Sequence, residues 1–305
     1  MDVIFLGTPK FAVPTLEALV AARHNVISVV TQPDRPSGRG RQFTPSPVKQ
    51  IALSLGLPVY QPERIRRPEA VAHLAAQKPD VMVVVGYGQI IPQSIIDIPP
   101  HGIINVHGSL LPKYRGAGPI QWAIANGETR TGVTTMRIDA GLDTGGMLLK
   151  AETEICPDEN ALELGARLAA MGADLLVETL ARIATIIPEK QDSAQATYAP
   201  LLKKEDGRID WRNSAQSIHN RVRGFQPWPG AYTRFRGQQL HIWKSRVAAP
   251  APGAPGSLLR HPLRAVCGEG ALELIEVQLE GRKRIAAEAF VNGQRIADGD
   301  ILGES

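Results

Sequence analysis

Asn105 and His107 stand two residues apart where the apolar run GIINV (Gly102–Val106) ends. Residues i and i+2 of a strand face the same side, so an amide and an imidazole project together. Burying both without partners is costly. Side by side they can donate hydrogen bonds to an oxygen that is gaining negative charge, and histidine can move a proton near neutral pH. A nearby carboxylate would orient the ring and stabilise its charged form. The glycine-rich stretch RIDAGLDTGG (Arg137–Gly146) offers two, Asp139 and Asp143, and residue types alone do not choose between them.

The elements that must position these groups follow from periodicity. VIFLG (Val3–Gly7), NVISVVT (Asn25–Thr31), DVMVVVGYG (Asp80–Gly88) and GIINV are short apolar runs, the kind a parallel strand covered on both faces needs. Between them, Phe11–Ala22 and Pro68–Gln77 carry helical spacing. Gly132–Arg137 and Met147–Lys150 predict further strands, and Asn160–Ile187 is helix-rich up to Pro188. This alternation predicts an α/β fold with a Rossmann-like, open and mostly parallel sheet, whose ligands gather at the carboxyl ends of its strands. After the polar, aperiodic stretch Glu189–Gly207 the pattern changes to short alternating strands: Ala231–Arg236, Gln239–Val247 and Leu272–Leu279. Those predict a small β-barrel or sandwich. The expected domains are residues 1–188, a linker at 189–207, and residues 208–305.

Composition narrows the class. Apolar residues make up 43% and charged residues 21% of the 305, a globular balance. There is no run of membrane-spanning length and no basic leader at the N-terminus. Two cysteines, Cys156 and Cys267, with no CxxC spacing point to a reducing compartment without a disulfide framework or zinc site; the expected location is the cytoplasm. Residues 201–305 hold 16 Lys and Arg against 11 Asp and Glu, a net of +5, whereas residues 1–200 sum to −1. A neutral front and a basic tail suggest that the tail meets a polyanion. The segment Asp34–Lys49 also carries a net of +3, and its glycines and prolines predict a loop.

INVHGSLLP, followed by YRGAGPIQWAI and DAGLDTG, resembles the folate-dependent formyltransferases. FLGTPKFAVP, TQPDRPSGRGRQFTPSPVK and the late IDW…FQPWPGA extend the resemblance over nearly the whole chain, towards the members that formylate initiator methionyl-tRNA. The resemblance implies a formyltransferase domain followed by an OB-like barrel, 10-formyltetrahydrofolate as co-substrate, and a monomer. It assigns Asn105 and His107 to the oxyanion, with His107 protonated, and Asp143 to proton movement. It places the folate against Ser109, Leu110, Leu111 and Pro112, against Val84, Gly86, Tyr87, Gly88 and Ile90, and against Ile138 and Asp139. No metal is implied, because hydrogen bonds polarise the formyl carbonyl. Arg35, Arg39, Arg41 and Lys49 of the basic loop, with Lys203, Lys204, Arg221, Arg223, Arg234 and Arg236 of the barrel, are the expected tRNA contacts, Arg39 being the residue expected to wedge against the acceptor end. An amino-sugar formyltransferase of the same fold is the alternative. Against a phosphoribosyl acceptor or a nicotinamide enzyme stands the first turn, GTPKF, which has one glycine and no GxGxxG.

Overall fold

The computed structural model describes residues 1–37 and 42–303. Packing divides the chain into two compact units that interleave in sequence: Met1–Gly116 with Thr131–Thr153 and Gly165–Tyr198, and Ala117–Arg130 with Glu154–Leu164 and Ala199–Ser305.

The first unit is built on a seven-stranded sheet. Its strands are β1 (Asp2–Gly7), β2 (Asn25–Val30), β3 (Val59–Tyr60), β4 (Val81–Val85), β5 (Ile103–His107), β6 (Arg130–Arg137) and β7 (Met147–Glu154). Their order across the sheet is β7-β6-β5-β4-β1-β2-β3. β1 pairs in parallel with β2 and β4, and β4 in parallel with β5, while β6 runs antiparallel to β5. Val3, Ile4, Phe5 and Leu6 are wholly buried, as strands covered on both faces must be. The chain progresses one way from β1 to β3 and the other way from β4 to β5, so the topological switch lies between β1 and β4, where such sheets open a crevice.

Helix packing decides which way the polar pair faces. Val106 points at the helix Ala161–Ala181, where a Cβ on Gly172 would come within 2.7 Å of Val106 Cγ1. With strand period two, Asn105 and His107 on either side of Val106 face away from that helix.

Two local expectations need correction. Asp34–Lys49 is not wholly loop: Arg35–Ser37 and Gln42–Thr44 form an antiparallel ladder, and Lys49 lies in the helix Pro47–Ser54. Ser46 caps that helix by accepting from the Lys49 backbone N–H at 3.1 Å, as a hydroxyl before a Pro-led helix does. Arg39 and Arg41 lie outside the described residues. Glu189–Gly207 is not a free spacer either, since Met147 and Glu189 exchange backbone hydrogen bonds at 2.8 Å.

The second unit carries a six-stranded antiparallel sheet made of β8 (Ala231–Phe235), β9 (Gln238–Ala248), β10 (Leu258–Leu259), β11 (Arg264–Val266), β12 (Ala271–Leu279) and β13 (Ile285–Ala286). The register of β9 against β12 shifts near Lys244, as it does at a bulge. Its core joins Trp211, Phe235, Ile242, Leu272 and Phe290, and Trp211 Nε1 donates to Thr233 Oγ1 at 3.0 Å. The helices Pro119–Ala125 and Ala215–Gly224 also belong to this unit. They meet closely at Gly224, where a Cβ would stand 2.8 Å from the Gln121 carbonyl.

Candidate active site

β5 ends one strand away from the switch point, and its register puts Asn105 opposite Val84 on β4 and Met136 on β6. His107 is 6% exposed. Its Nε2 lies 2.9 Å from the Tyr114 carbonyl. A carbonyl only accepts, so Nε2 carries a hydrogen, and Nδ1 is the ring atom left to meet other groups. Nδ1 faces Asp143 Oδ2 at 3.7 Å. Asn105 Nδ2 donates to Asp143 Oδ1 at 3.3 Å, and the Gly116 backbone N–H donates to Asp143 Oδ2 at 2.9 Å. One carboxylate thus gathers the amide, the imidazole and a main-chain donor.

The structure separates the two aspartates of the glycine-rich stretch. Asp139 is exposed and turns onto its own loop, its Oδ1 accepting from Gly141 N at 3.0 Å and from Thr144 Oγ1 at 2.7 Å. Asp143 adopts φ +51°, a left-handed conformation that costs a non-glycine residue about 1–2 kcal/mol. Gly145 makes the turn possible: a Cβ there would sit 1.8 Å from the Arg137 carbonyl oxygen.

The expected folate wall divides into surface and support. Ser109 and Leu111 are buried. The Ser109 hydroxyl donates to the Lys113 carbonyl at 2.6 Å, and Thr134 Oγ1 donates to the Ser109 carbonyl while accepting from Leu111 N. Both residues therefore shape the loop from behind, whereas Leu110, Pro112 and Ile138 are half-exposed. Val84 is buried on β4. Tyr87 buries its ring in the core, and its hydroxyl has no partner among the described residues; desolvation pushes its pKa well above the ordinary phenol value. What Tyr87 offers outward is backbone, flanked by exposed Gly86 (φ +57°) and Gly88 (φ +86°). Its carbonyl accepts from Thr8 Oγ1 at 3.0 Å and Gln32 Nε2 at 3.1 Å, which anchors this segment across the switch point. Ile90 is 90% exposed. Exposed glycine backbone beside apolar side chains suits a flat heterocycle with donors and acceptors along its edge.

The cationic candidates also divide. Lys203, Lys204 and Arg234 are exposed. Arg35 is exposed and lies 3.6 Å from Glu63. Lys49 Nζ is held 2.6 Å from Asp34, whose carboxyl this hydrogen bond, followed by the one from Gln61, keeps below its usual pKa. Arg236 is paired with Asp300 at 2.9 Å. Arg221 is half-buried, donating to the Asp206 carbonyl and lying over the Phe225 ring. Arg223 is a correction: at 8% exposure it donates to the Cys156 and Glu159 carbonyls and to Asn220 Oδ1, so it is a buried tie and offers nothing to a phosphate.

Sequence reasoning overlooked Gly116, Tyr114 and Gln191, which act through backbone atoms or from a stretch read as linker. Among the described residues, no three His, Cys, Asp or Glu side chains gather as a metal site would require, and no helix is long and apolar enough to cross a membrane.

Comparison with known proteins gives this geometry its context. The formyl transferase family matches residues 1–180, and the formyl transferase C-terminal domain matches residues 201–295. A protein of Solibacter usitatus named methionyl-tRNA formyltransferase is 70% identical over 308 residues, covering 100% of this chain and 99% of that protein. One of the same name from Koribacter versatilis is 57% identical over 309 residues, covering 99% of each. Among solved structures, an N-formyltransferase from Helicobacter canadensis, in complex with folinic acid and dTDP-3-aminofucose, matches with a TM-score of 0.66 at 17% identity, over 93% of this chain and 100% of that one. HypX from Aquifex aeolicus, in complex with tetrahydrofolic acid, matches with a TM-score of 0.65 at 16% identity; it is covered over 51% of its length, and this chain over 100%. At such identities the two structures speak for the fold alone. By the family match and by relatives alike over their full length, the chain belongs to the formyl transferase family.

Proposed function

We propose that this chain transfers the formyl group of 10-formyltetrahydrofolate to the α-amine of initiator methionyl-tRNA, giving the formylated aminoacyl-tRNA that begins translation. The single observation that carries the chemistry is the gathering of Asn105 and His107 on the Asp143 carboxylate at the strand ends. The acceptor rests on the names of the relatives similar over the full length. The basic balance of residues 201–305 supports it.

10-Formyltetrahydrofolate supplies the formyl carbon as a substrate. The exposed backbone of Gly86–Gly88, with Ile90, Leu110, Pro112 and Ile138, provides a wall for its ring system. Asn105 commits one N–H of Nδ2 to Asp143 and keeps the other for the formyl oxygen. His107, anchored through Nε2–H to the Tyr114 carbonyl, acts as the imidazolium, so that Nδ1 also carries a hydrogen and presents it to the same place. These donors stabilise the negative charge that grows on the oxygen as the amine attacks. Asp143, within reach of both, takes the proton from the amine and returns it to the departing nitrogen. Lys203, Lys204 and Arg234 supply phosphate contacts, which hold tRNA without reading its sequence. The segment Asp34–Lys49 serves the acceptor end. The reaction takes place in the cytoplasm, where tRNA is charged.

Incubation of the purified protein with charged initiator tRNA and 10-formyltetrahydrofolate, followed by deacylation, tests this reading. Formylmethionine is the expected product. Formylation of a dTDP-amino sugar in place of methionyl-tRNA would favour the alternative acceptor, and no formyl product on either would remove the enzymatic reading.

A further inference from the structure

Gln191 lies in the stretch that reads as linker, yet it is 5% exposed. The backbone pairing of Glu189 with Met147 delivers it beside the glycine-rich loop. Its Oε1 accepts from Nε of Arg115 at 3.0 Å and from Nη2 at 2.8 Å, and Arg115 is itself 3% exposed. A guanidinium only donates, so the amide oxygen is fixed towards Arg115 and the NH2 group is turned the other way. There Nε2 donates to the Asp143 carbonyl and to the Gly145 carbonyl, both at 2.8 Å. Both amide hydrogens are spent on the two ends of one turn.

That turn is the one holding Asp143 at φ +51°. Its carboxylate is held in front by Asn105 and by the N–H of Gly116, the residue after Arg115. The backbone behind it is held by Gln191. A left-handed residue persists only where its surroundings over-determine it, and here the Arg115–Gln191 pair supplies the constraint. We propose that Gln191, oriented by Arg115, is a positioning residue for formyl transfer: it clamps the turn so that the Asp143 carboxylate stays between Asn105 and His107. The proposal rests on the reading of Asp143 as a group that meets the reacting atoms.

Gln191→Glu tests it. The new carboxylate keeps its partner in Arg115 but turns an acceptor towards two carbonyls, so the clamp is lost while the buried guanidinium stays paired. The expected result is a kcat about 10–100-fold lower, with KM for the folate and for methionyl-tRNA each within about threefold of wild type. Because Gln191 acts through Asp143, adding Gln191→Glu to Asp143→Asn should lower kcat by less than about threefold further. Gln191→Met, which keeps the length and loses every hydrogen bond, should repeat the kcat-specific loss, and the unfolding midpoint of each variant separates misfolding from misplacement. A kcat within about threefold of wild type in Gln191→Glu and Gln191→Met, a loss confined to KM, or a full additive loss in the Asp143→Asn background would overturn the clamp. Wild-type activity in Asp143→Asn alone would instead remove the reading on which the clamp rests.

Discussion

Asp143→Asn is the most revealing single change, because the structure sets two donors and the His107 ring around the Asp143 carboxylate. Asn105 Nδ2 at 3.3 Å and Gly116 N at 2.9 Å donate to it, and His107 Nδ1 faces it at 3.7 Å. An asparagine keeps the shape but has one acceptor oxygen, so its NH2 must point at one side of this set. If it faces Asn105, the oxyanion donor is displaced; if it faces Gly116 and His107, the loop and the ring lose their partner. Either way a half-buried donor goes unpaired, at about 1–3 kcal/mol. A lost oxyanion donor is worth about 10²–10³ in turnover. The carboxylate that carries the proton is lost as well, and proton transfer by a positioned group contributes about 10²–10⁴. The two losses overlap, so we expect kcat to fall about 10³-fold or more. The assay is single-turnover formylation at saturating folate and methionyl-tRNA, with folate affinity measured separately by equilibrium titration. A rate within tenfold of wild type would refute the assignment of Asp143, and so would an equal loss explained by folate affinity alone.

The remaining predictions concern support rather than chemistry. Arg223→Ala should destabilise the protein by about 3 kcal/mol, because a buried guanidinium and its carbonyl partners lose each other; urea unfolding measures this, and a change below about 1 kcal/mol would contradict the buried-tie assignment. His219, whose Nδ1 lies 3.0 Å from Ser245 Oγ, has its pKa held below the ordinary value by burial and then by Arg223. The unfolded chain therefore binds the proton first as pH falls through about 6.5, so stability is present above that pH and is lost below it. His219→Gln should flatten this acid-side decline, and identical slopes in pH-dependent unfolding would contradict it. Replacing Lys203, Lys204 and Arg234 together by Ala should reduce the slope of log K for tRNA against log salt by about 2–3, measured by filter binding or fluorescence; an unchanged slope would take these residues out of the interface.

The shared face of Asn105 and His107 in the candidate site was legible because it depends on strand period. GIINV had to be a buried strand, and i, i+2 spacing then placed Asn105 and His107 on one face. The choice between Asp139 and Asp143 was not legible from residue types, because both sit among glycines. Backbone conformation separates them, turning Asp139 onto Gly141 and Thr144 and bringing Asp143 to Asn105 and His107 of β5. Gln191 was hidden for a different reason. Its work is side chain to backbone, with no apolar period around it, and the two-residue pairing at Glu189 that delivers it is too short to register as a strand. Charge counting misjudged Arg223 because composition does not distinguish a solvated guanidinium from one spent on buried carbonyls. Prolines and glycines around Asp34–Lys49 concealed the short ladder, since its pairing follows backbone geometry rather than side-chain alternation.

The most direct measurement is the single-turnover rate of Asn105→Ala with bound 10-formyltetrahydrofolate and methionyl-tRNA, beside its folate dissociation constant. The account predicts transfer slowed about 10²–10³-fold with folate affinity nearly unchanged, since the N–H of Asn105 not committed to Asp143 is assigned to an oxygen that becomes charged only during transfer. Transfer at the wild-type rate would contradict it.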